Sequence, residues 1–230
     1  MLGGGRKLPV LAELSGPAIG SARAWSLRRG DLQELSKLQG ALEGKSVVLV
    51  TGEEGLAGAI AIAGAGAAGG RRTVLLECDL VRPRLAADLG LAPAPGLHEY
   101  LRWEATAPEI LQPLVLAGPA SGRAADPLVC IAAGRRAADP ATLINLASFR
   151  HALAKLRSAY DLVVLAGPAI DSGYGSLEVL AGAADVLLAA VPPAAVSGRR
   201  RRALHAALRK LPVVTAGAIV VGAPETAQRS

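Results

Sequence analysis

Residues Ser46–Leu80, SVVLVTGEEGLAGAIAIAGAGAAGGRRTVLLECDL, decide the fold. The apolar run SVVLVTG reads as a strand buried on both faces, because a strand with one wet face would alternate polar and apolar residues. A helix of small residues follows it, and residues 72–76 (RTVLL) repeat the buried-strand pattern. Strand, helix, strand in this order predicts a βαβ unit with parallel strands. The pattern continues outward: residues 161–165 (DLVVL), 185–191 (DVLLAAV) and 213–221 (VVTAGAIVV) read as further strands. One long amphipathic helix is predicted over 140–160, and another over 197–211 between the last two strands. Upstream, DLQELSKLQGALEG at 31–44 carries Leu32, Leu35, Leu38 and Leu42 at helical spacing, with Asp31 as N-cap and Gly44 as stop. The expected fold class is therefore α/β, a doubly wound and mostly parallel sheet. The first thirty residues, rich in Gly, Pro and Arg without periodicity, read as a flexible arm; 31–222 reads as one domain and 223–230 as a tail.

Composition narrows the function classes. Hydrophobic residues make up 51% of the chain and aromatic ones only 3%, so the core must be closely packed layers of Ala, Val and Leu. No apolar run reaches the roughly 18 residues of a membrane helix without a charge or a Gly/Pro break. The start, MLGGGRKLPVLAEL, has no signal-peptide apolar region, so the expectation is a soluble, cytoplasmic protein. Cys78 and Cys130 lie in apolar stretches and read as buried free thiols. His98, His151 and His205 have no metal-ligand spacing, and no Gly-x-Ser-x-Gly turn offers a serine nucleophile. The formal net charge of +6 and pI near 9.8 suit an anionic partner. Much of the excess sits in Arg199–Arg202, beside Arg209 and Lys210, which reads first as a solvated helix face and second as a docking strip for a polyanion.

Ligands of such sheets bind beyond the carboxyl ends of the strands, and the first strand-to-helix turn is the phosphate position. Here that turn is TGEEGLAGAIA, residues 51–61. A working P-loop needs a glycine-rich curve of N–H groups, a lysine for the outer phosphates and a hydroxyl for magnesium. Gly52, Gly55 and Gly58 are present, but no lysine and no Ser or Thr follow Thr51. Glu53 and Glu54 stand where phosphate charge would arrive and would repel it. Taken alone, these glycines read as a structural turn. Glu77 and Asp79, at the end of the next strand, are placed to hold magnesium through water, or else form a solvated strand end.

The run ECDLVRPRLAADLGLAPAPGLHEYL (77–101) and the later LVCIAAGRRAADPATLINLASFRHALAKLRSAYDLVVLAGPA (128–169) resemble the cytoplasmic kinase domain of bacterial tyrosine autokinases of capsule and exopolysaccharide synthesis. That family is a branch of the MinD/ParA group of deviant Walker, P-loop NTPase-like ATPases, and the resemblance covers roughly 31–222. It implies a Mg-ATP-binding kinase that assembles with copies of itself and works with a membrane adaptor controlling polysaccharide chain length. It places the chain at the inner face of the membrane through that partner. Carried over residue by residue, the family's phosphate-loop lysine and Ser/Thr pair map near Leu56, Ala57 and Gly58. Its first Walker aspartate maps to Glu77, its second is kept as Asp79, and its third-motif aspartate maps to Ala166. The adenine-reading asparagine of the wider group maps to Val221. The family's Glu-x-x-Arg-x-x-Arg oligomerisation motif is matched only by Glu34, Lys37 and Gly40, and lysine does not reproduce arginine's bidentate fork. The tyrosine-rich tail is absent: Tyr100, Tyr160 and Tyr174 are scattered.

Three functions compete on this reading. The first is a non-catalytic member of the family, a scaffold or regulator bound to a membrane adaptor or an active paralogue, with no cofactor and a vestigial nucleotide site at Gly52, Gly55, Gly58, Glu77, Asp79 and Arg82. The second is a feeble kinase or ATPase that still holds Mg-ATP, with Asp79 toward the metal and Arg82 toward the phosphates. The third is a ParA-like module binding nucleic acid through Arg199–Arg202, which the 79–83 and 134–160 blocks disfavour.

Overall fold

Five strands of consecutive buried side chains build the centre of a single eight-stranded sheet: β2 (Val47–Thr51), β3 (Thr73–Glu77), β6 (Leu162–Ala166), β7 (Val186–Val191) and most of β8 (Thr215–Val221). The structure, a computed structural model, describes residues 8–15, 29–38, 42–114, 128–172 and 175–222. With β1 (Val10–Leu14), β4 (Gln112–Leu114) and β5 (Leu128–Ile131), the order across the sheet is β1-β8-β7-β2-β6-β3-β5-β4. Only the β4–β5 pair is antiparallel. The mostly parallel α/β sheet expected from the sequence is thus the one observed.

The two-residue period of a strand splits every central run between two cores. Val48, Val50, Leu75, Val164, Leu188 and Ile219 face one layer, and Val47, Leu49, Leu76, Val163, Leu187 and Ala218 face the other. The first layer holds α1 (Arg29–Ser36), α2 (Gly55–Ala68) and α3 (Leu85–Leu89). The second is built from α4 (Leu97–Leu101), α5 (Ala107–Ile110), α6 (Pro140–Asn145), α7 (Ala147–Ala159), α8 (Ser176–Ala183) and α9 (Gly198–Leu208). α2 lies very close to the sheet. A Cβ on Gly58 would stand 2.4 Å from the Ala190 Cβ, and one on Gly66 would stand 2.7 Å from Leu162 Cδ2. Each mid-helix glycine costs about 1 kcal/mol relative to alanine, offset here by the contact that the missing methyl allows.

Three expectations are corrected. Residues 8–15 do not belong to a flexible arm: β1 pairs with β8, and Gly217 leaves room for Pro9 and Leu11. Asp31 is not the cap of its helix; it sits in the first turn of α1, and its Oδ1 accepts from Ser15 N at 2.9 Å, tying the helix to the end of β1. The helix expected over 140–160 is two helices, broken at Leu146, whose ψ of 150° is extended. The tail 223–230 lies outside the described residues. No helix among the described residues is long and apolar enough to cross a membrane.

At the amino ends of the strands, Asp185 Oδ2 accepts from Ser46 N, Ser46 Oγ and Val47 N at 2.8–3.0 Å, while Oδ1 meets Arg157 at 2.6 Å. This knot fixes the start of β2 against β7. The carboxyl ends are left for the site.

Candidate functional site

The chain leaves β2 at Thr51 and enters α2 at Gly55, so only Gly52, Glu53 and Glu54 form the turn at the carboxyl end of the central strand. Thr51 Oγ1 donates to Pro168 O at 2.6 Å, joining this turn to the segment after β6. Gly52 adopts φ 119°, and a Cβ there would lie 2.3 Å from Ala190 O, so only glycine fits. The turn then spends its own amides. Glu54 N donates to Ala190 O and Gly55 N to Gly52 O, both at 3.0 Å. Two N–H groups that a phosphate cradle would direct outward are thereby turned into a tight, self-satisfied bend.

Beside the turn lies a cleft of about 340 Å³. Its lining brings together Gly52, Gly55, Glu77, Asp79 and Arg82, all nominated from sequence, with Glu53, Leu56 and Ala166, and adds Arg84 and Asp171. Gly58 does not line it. Its lack of a side chain serves the packing of α2 on Ala190 and Val50, so the binding role expected for it is replaced by a packing one. Leu56 presents an apolar side chain to the cleft in the region where the resemblance maps a lysine. Ala166 does the same for an aspartate, and Val221, mapped to the adenine-reading asparagine, is buried at the end of β8.

Glu77 is 2% exposed and fully engaged. Oε1 accepts from Arg84 N at 2.6 Å and Leu85 N at 2.8 Å; Oε2 accepts from Ala133 N at 3.1 Å. It satisfies the amino end of α3, which has no cap from its own N-cap residue Arg84. Burial raises its pKa, opposed by these three N–H groups and reinforced by Asp79. Asp79 folds back on its own turn: Oδ1 accepts from Val81 N at 3.2 Å and Arg82 N at 3.0 Å, and Oδ2 lies 3.6 Å from Arg82 Nε. Both carboxylates are thus committed to backbone and side-chain partners in the 77–85 segment and, for Glu77, to Ala133. Among the described residues, no group of three or more His, Cys, Asp or Glu side chains is placed to hold a metal. Cys78, fully buried between them, has its thiol pushed up by desolvation and then by both carboxylates, so it is held as a neutral packing group.

The cations at the cleft are partly engaged as well. Arg82 meets Asp79, and Arg84 Nη2 donates to Asp88 Oδ2 at 3.3 Å. At the rim, Arg200 approaches Glu53 at 3.6 Å. Glu54 has its pKa raised by burial and by Glu53, against the pull of Arg84. Of the basic run, Arg201 donates to Leu8 O and so helps seat β1, while Arg199 and Arg202 are exposed. Glu34 and Lys37 pair with each other; Gly40 and Tyr174 lie outside the described residues, and Tyr100 and Tyr160 are half-buried. Sequence reasoning missed Arg84 and Asp171. Arg84 stood in the run Arg82-Pro83-Arg84 and could have been taken with Arg82; Asp171, five residues past β6, carries no local signal.

No protein-family model matches the chain, and no curated protein matches it. Solved structures do. The kinase domain of the Escherichia coli tyrosine kinase ETK aligns with a TM-score of 0.75 at 15% identity over 97% of this chain and 93% of that one. The kinase domain of VpsO aligns at 0.67 with 20% identity, covering 84% and 92%. The Pyrococcus furiosus cell division ATPase MinD aligns at 0.56 with 16% identity, covering 76% and 71%. The resemblance read from the motifs is met at the level of the fold: this chain has the P-loop NTPase-like fold shared by bacterial tyrosine kinase domains and MinD-type ATPases.

Proposed function

We propose that this chain is a non-catalytic member of the bacterial tyrosine autokinase family, acting as a scaffold or regulator in polysaccharide synthesis and export through a membrane adaptor or an active paralogue. The observation that carries the reading is the three-residue turn 52–54, whose Glu54 and Gly55 amides are spent on Ala190 O and Gly52 O. Phosphoryl transfer depends on donors aimed at the phosphates and on a metal bridging them. Here the lysine position offers Leu56, the third aspartate is Ala166, and Glu77 and Asp79 are held by backbone amides. Losing one such preorganised donor costs on the order of 100-fold in rate. Several lost together leave no useful turnover.

The experiment is the melting temperature of the purified protein with and without millimolar Mg-ATP and Mg-ADP, because a ligand confined to the folded state must raise it. The expected result is no shift with either nucleotide. A clear rise would replace this reading with the second one, a weak nucleotide-binding kinase or ATPase. Arg82 and Arg84 support that second reading, since both residues line the cleft. The nucleic-acid reading loses ground because Arg200 and Arg201, half of the basic run, are engaged within the molecule.

A further inference from the structure

Helix α4 ends in a turn whose backbone conformation is unfavourable for the residue that occupies it. Glu104 N donates to Glu99 O at 2.8 Å and Trp103 N to Tyr100 O at 3.0 Å, a helix terminus that places Trp103 in the left-handed region with φ 64°. Glycine is the usual occupant of that position, because a Cβ there meets the backbone. Trp103 is the one residue other than glycine with positive φ among the described residues, and it is 78% exposed. A tryptophan set in an unfavourable backbone conformation and left largely in water makes no side-chain hydrogen bond or ion pair among the described residues. The turn beneath it is pinned: Glu99 accepts from Gly96 N at 2.8 Å and from Arg135 Nε at 2.8 Å.

We propose that Trp103 is the anchor of a protein-docking surface, and that its partner is a protein segment carrying carboxylates beside an apolar side chain. The turn borders a cleft of about 470 Å³ lined by His98, Arg102, Glu104, Arg135, Arg136 and Asp139, among others. Arg102 and Arg135 converge on Glu104, which orients their guanidinium groups, and Arg136 is exposed and without an ion-pair partner among the described residues. Tryptophan and arginine together are the side chains that most often anchor interfaces. The partner's carboxylates meet Arg136 and the outer faces of Arg102 and Arg135, in the forked geometry arginine favours. Glu104 and Asp139 interrupt the positive charge, which disfavours a continuous polyphosphate and favours a segment of mixed character. The surface shares no lining residue with the cleft beside the 52–54 turn and stands whether or not that cleft holds a nucleotide.

The test uses the full chain carrying Trp25→Phe, so that Trp103 is the sole tryptophan and is excited selectively at about 295 nm or above, and the same chain with Trp103→Gly added. Glycine suits the left-handed turn, so the second variant keeps or raises the melting temperature, by roughly 2–4 °C for each kcal/mol of strain relieved. An array of synthetic 12-residue peptides pairing Asp or Glu with Leu, Phe or Trp is then probed with both proteins. Binding that shifts Trp103 emission to the blue and falls at least tenfold in the glycine variant is the expected result. A clear fall in melting temperature for Trp103→Gly would make Trp103 a structural residue and overturn the proposal. So would the absence of any acidic-apolar peptide that distinguishes the two proteins, or quenching of Trp103 by single-stranded oligo-dT instead of peptide.

Discussion

Replacing Glu77 with alanine separates a structural carboxylate from a magnesium-holding one. The change removes the acceptor of Arg84 N, Leu85 N and Ala133 N together. Arg84 is exposed, so its amide can turn to water, but Leu85 and Ala133 are both 0% exposed. Two buried donors left unsatisfied, at about 1–3 kcal/mol each, predict a loss of about 3–4 kcal/mol once partial relaxation is allowed. Against a total stability of about 5–15 kcal/mol that is a large fraction. For a chain of this size it lowers the melting temperature by roughly 6–15 °C. Glu77→Gln keeps one oxygen for Arg84 N and Leu85 N but sets an NH₂ against Ala133 N–H, so its loss is about 1–2 kcal/mol. Urea unfolding of the three proteins, with no nucleotide or metal present, reads the series. If both variants unfold within about 0.5 kcal/mol of the parent, Glu77 is not the pin that holds α3 to the sheet. Its carboxylate is then free of a structural duty and open to magnesium.

Two further outcomes follow from the geometry. Gly58→Ala sets a methyl 2.4 Å from the Ala190 Cβ and must push α2 outward, costing about 1–3 kcal/mol by thermal unfolding; a neutral result would show that the α2–β7 contact is looser than described. Stability should also fall in acid because of Glu99. Burial pushes its carboxyl up, but Gly96 N and Arg135 overcome that and hold it at about 2, below its ordinary 4.5. A depressed carboxylate contributes stability above its unfolded value and loses it as pH falls toward the folded one. Denaturant midpoints measured from pH 6 down to pH 3 should therefore decline less in Glu99→Gln than in the parent, and equal declines would remove Glu99 from the account.

The features legible in the sequence were those set by continuous burial. SVVLVTG, RTVLL, DLVVL and DVLLAAV each became a central strand because both faces of a parallel sheet are covered, which leaves an unbroken apolar run as the signature. The edges gave no such signal. β1 is five residues and β4 three, with Pro113 inside it, and each is stabilised by partners distant in sequence: Gly217 and Asp31 for β1, and for the segment around β4 the bonds between Gln112 and Ala92. Asp31 matched the pattern of a helix cap, yet it serves an amide sixteen positions away, a choice no local rule can anticipate.

The site divides along the same line. Strand ends converge by topology, so Glu77 at the end of β3, Asp79 just past it and the turn after β2 were bound to meet once the βαβ order was known. What each residue does there is decided by partners the sequence does not announce. Gly52 and Gly58 look alike in the Gly-x-x-Gly-x-x-Gly spacing, but one bends the chain over Ala190 O while the other admits the Ala190 methyl. Glu77 stands where the resemblance places an aspartate, and its carboxylate reaches both α3 and Ala133. A retained charge at a motif position is therefore weak evidence for retained chemistry. The oxygen lone pairs available to a metal are those the backbone has not already taken, and at this cleft the 77–85 segment and Ala133 take most of them.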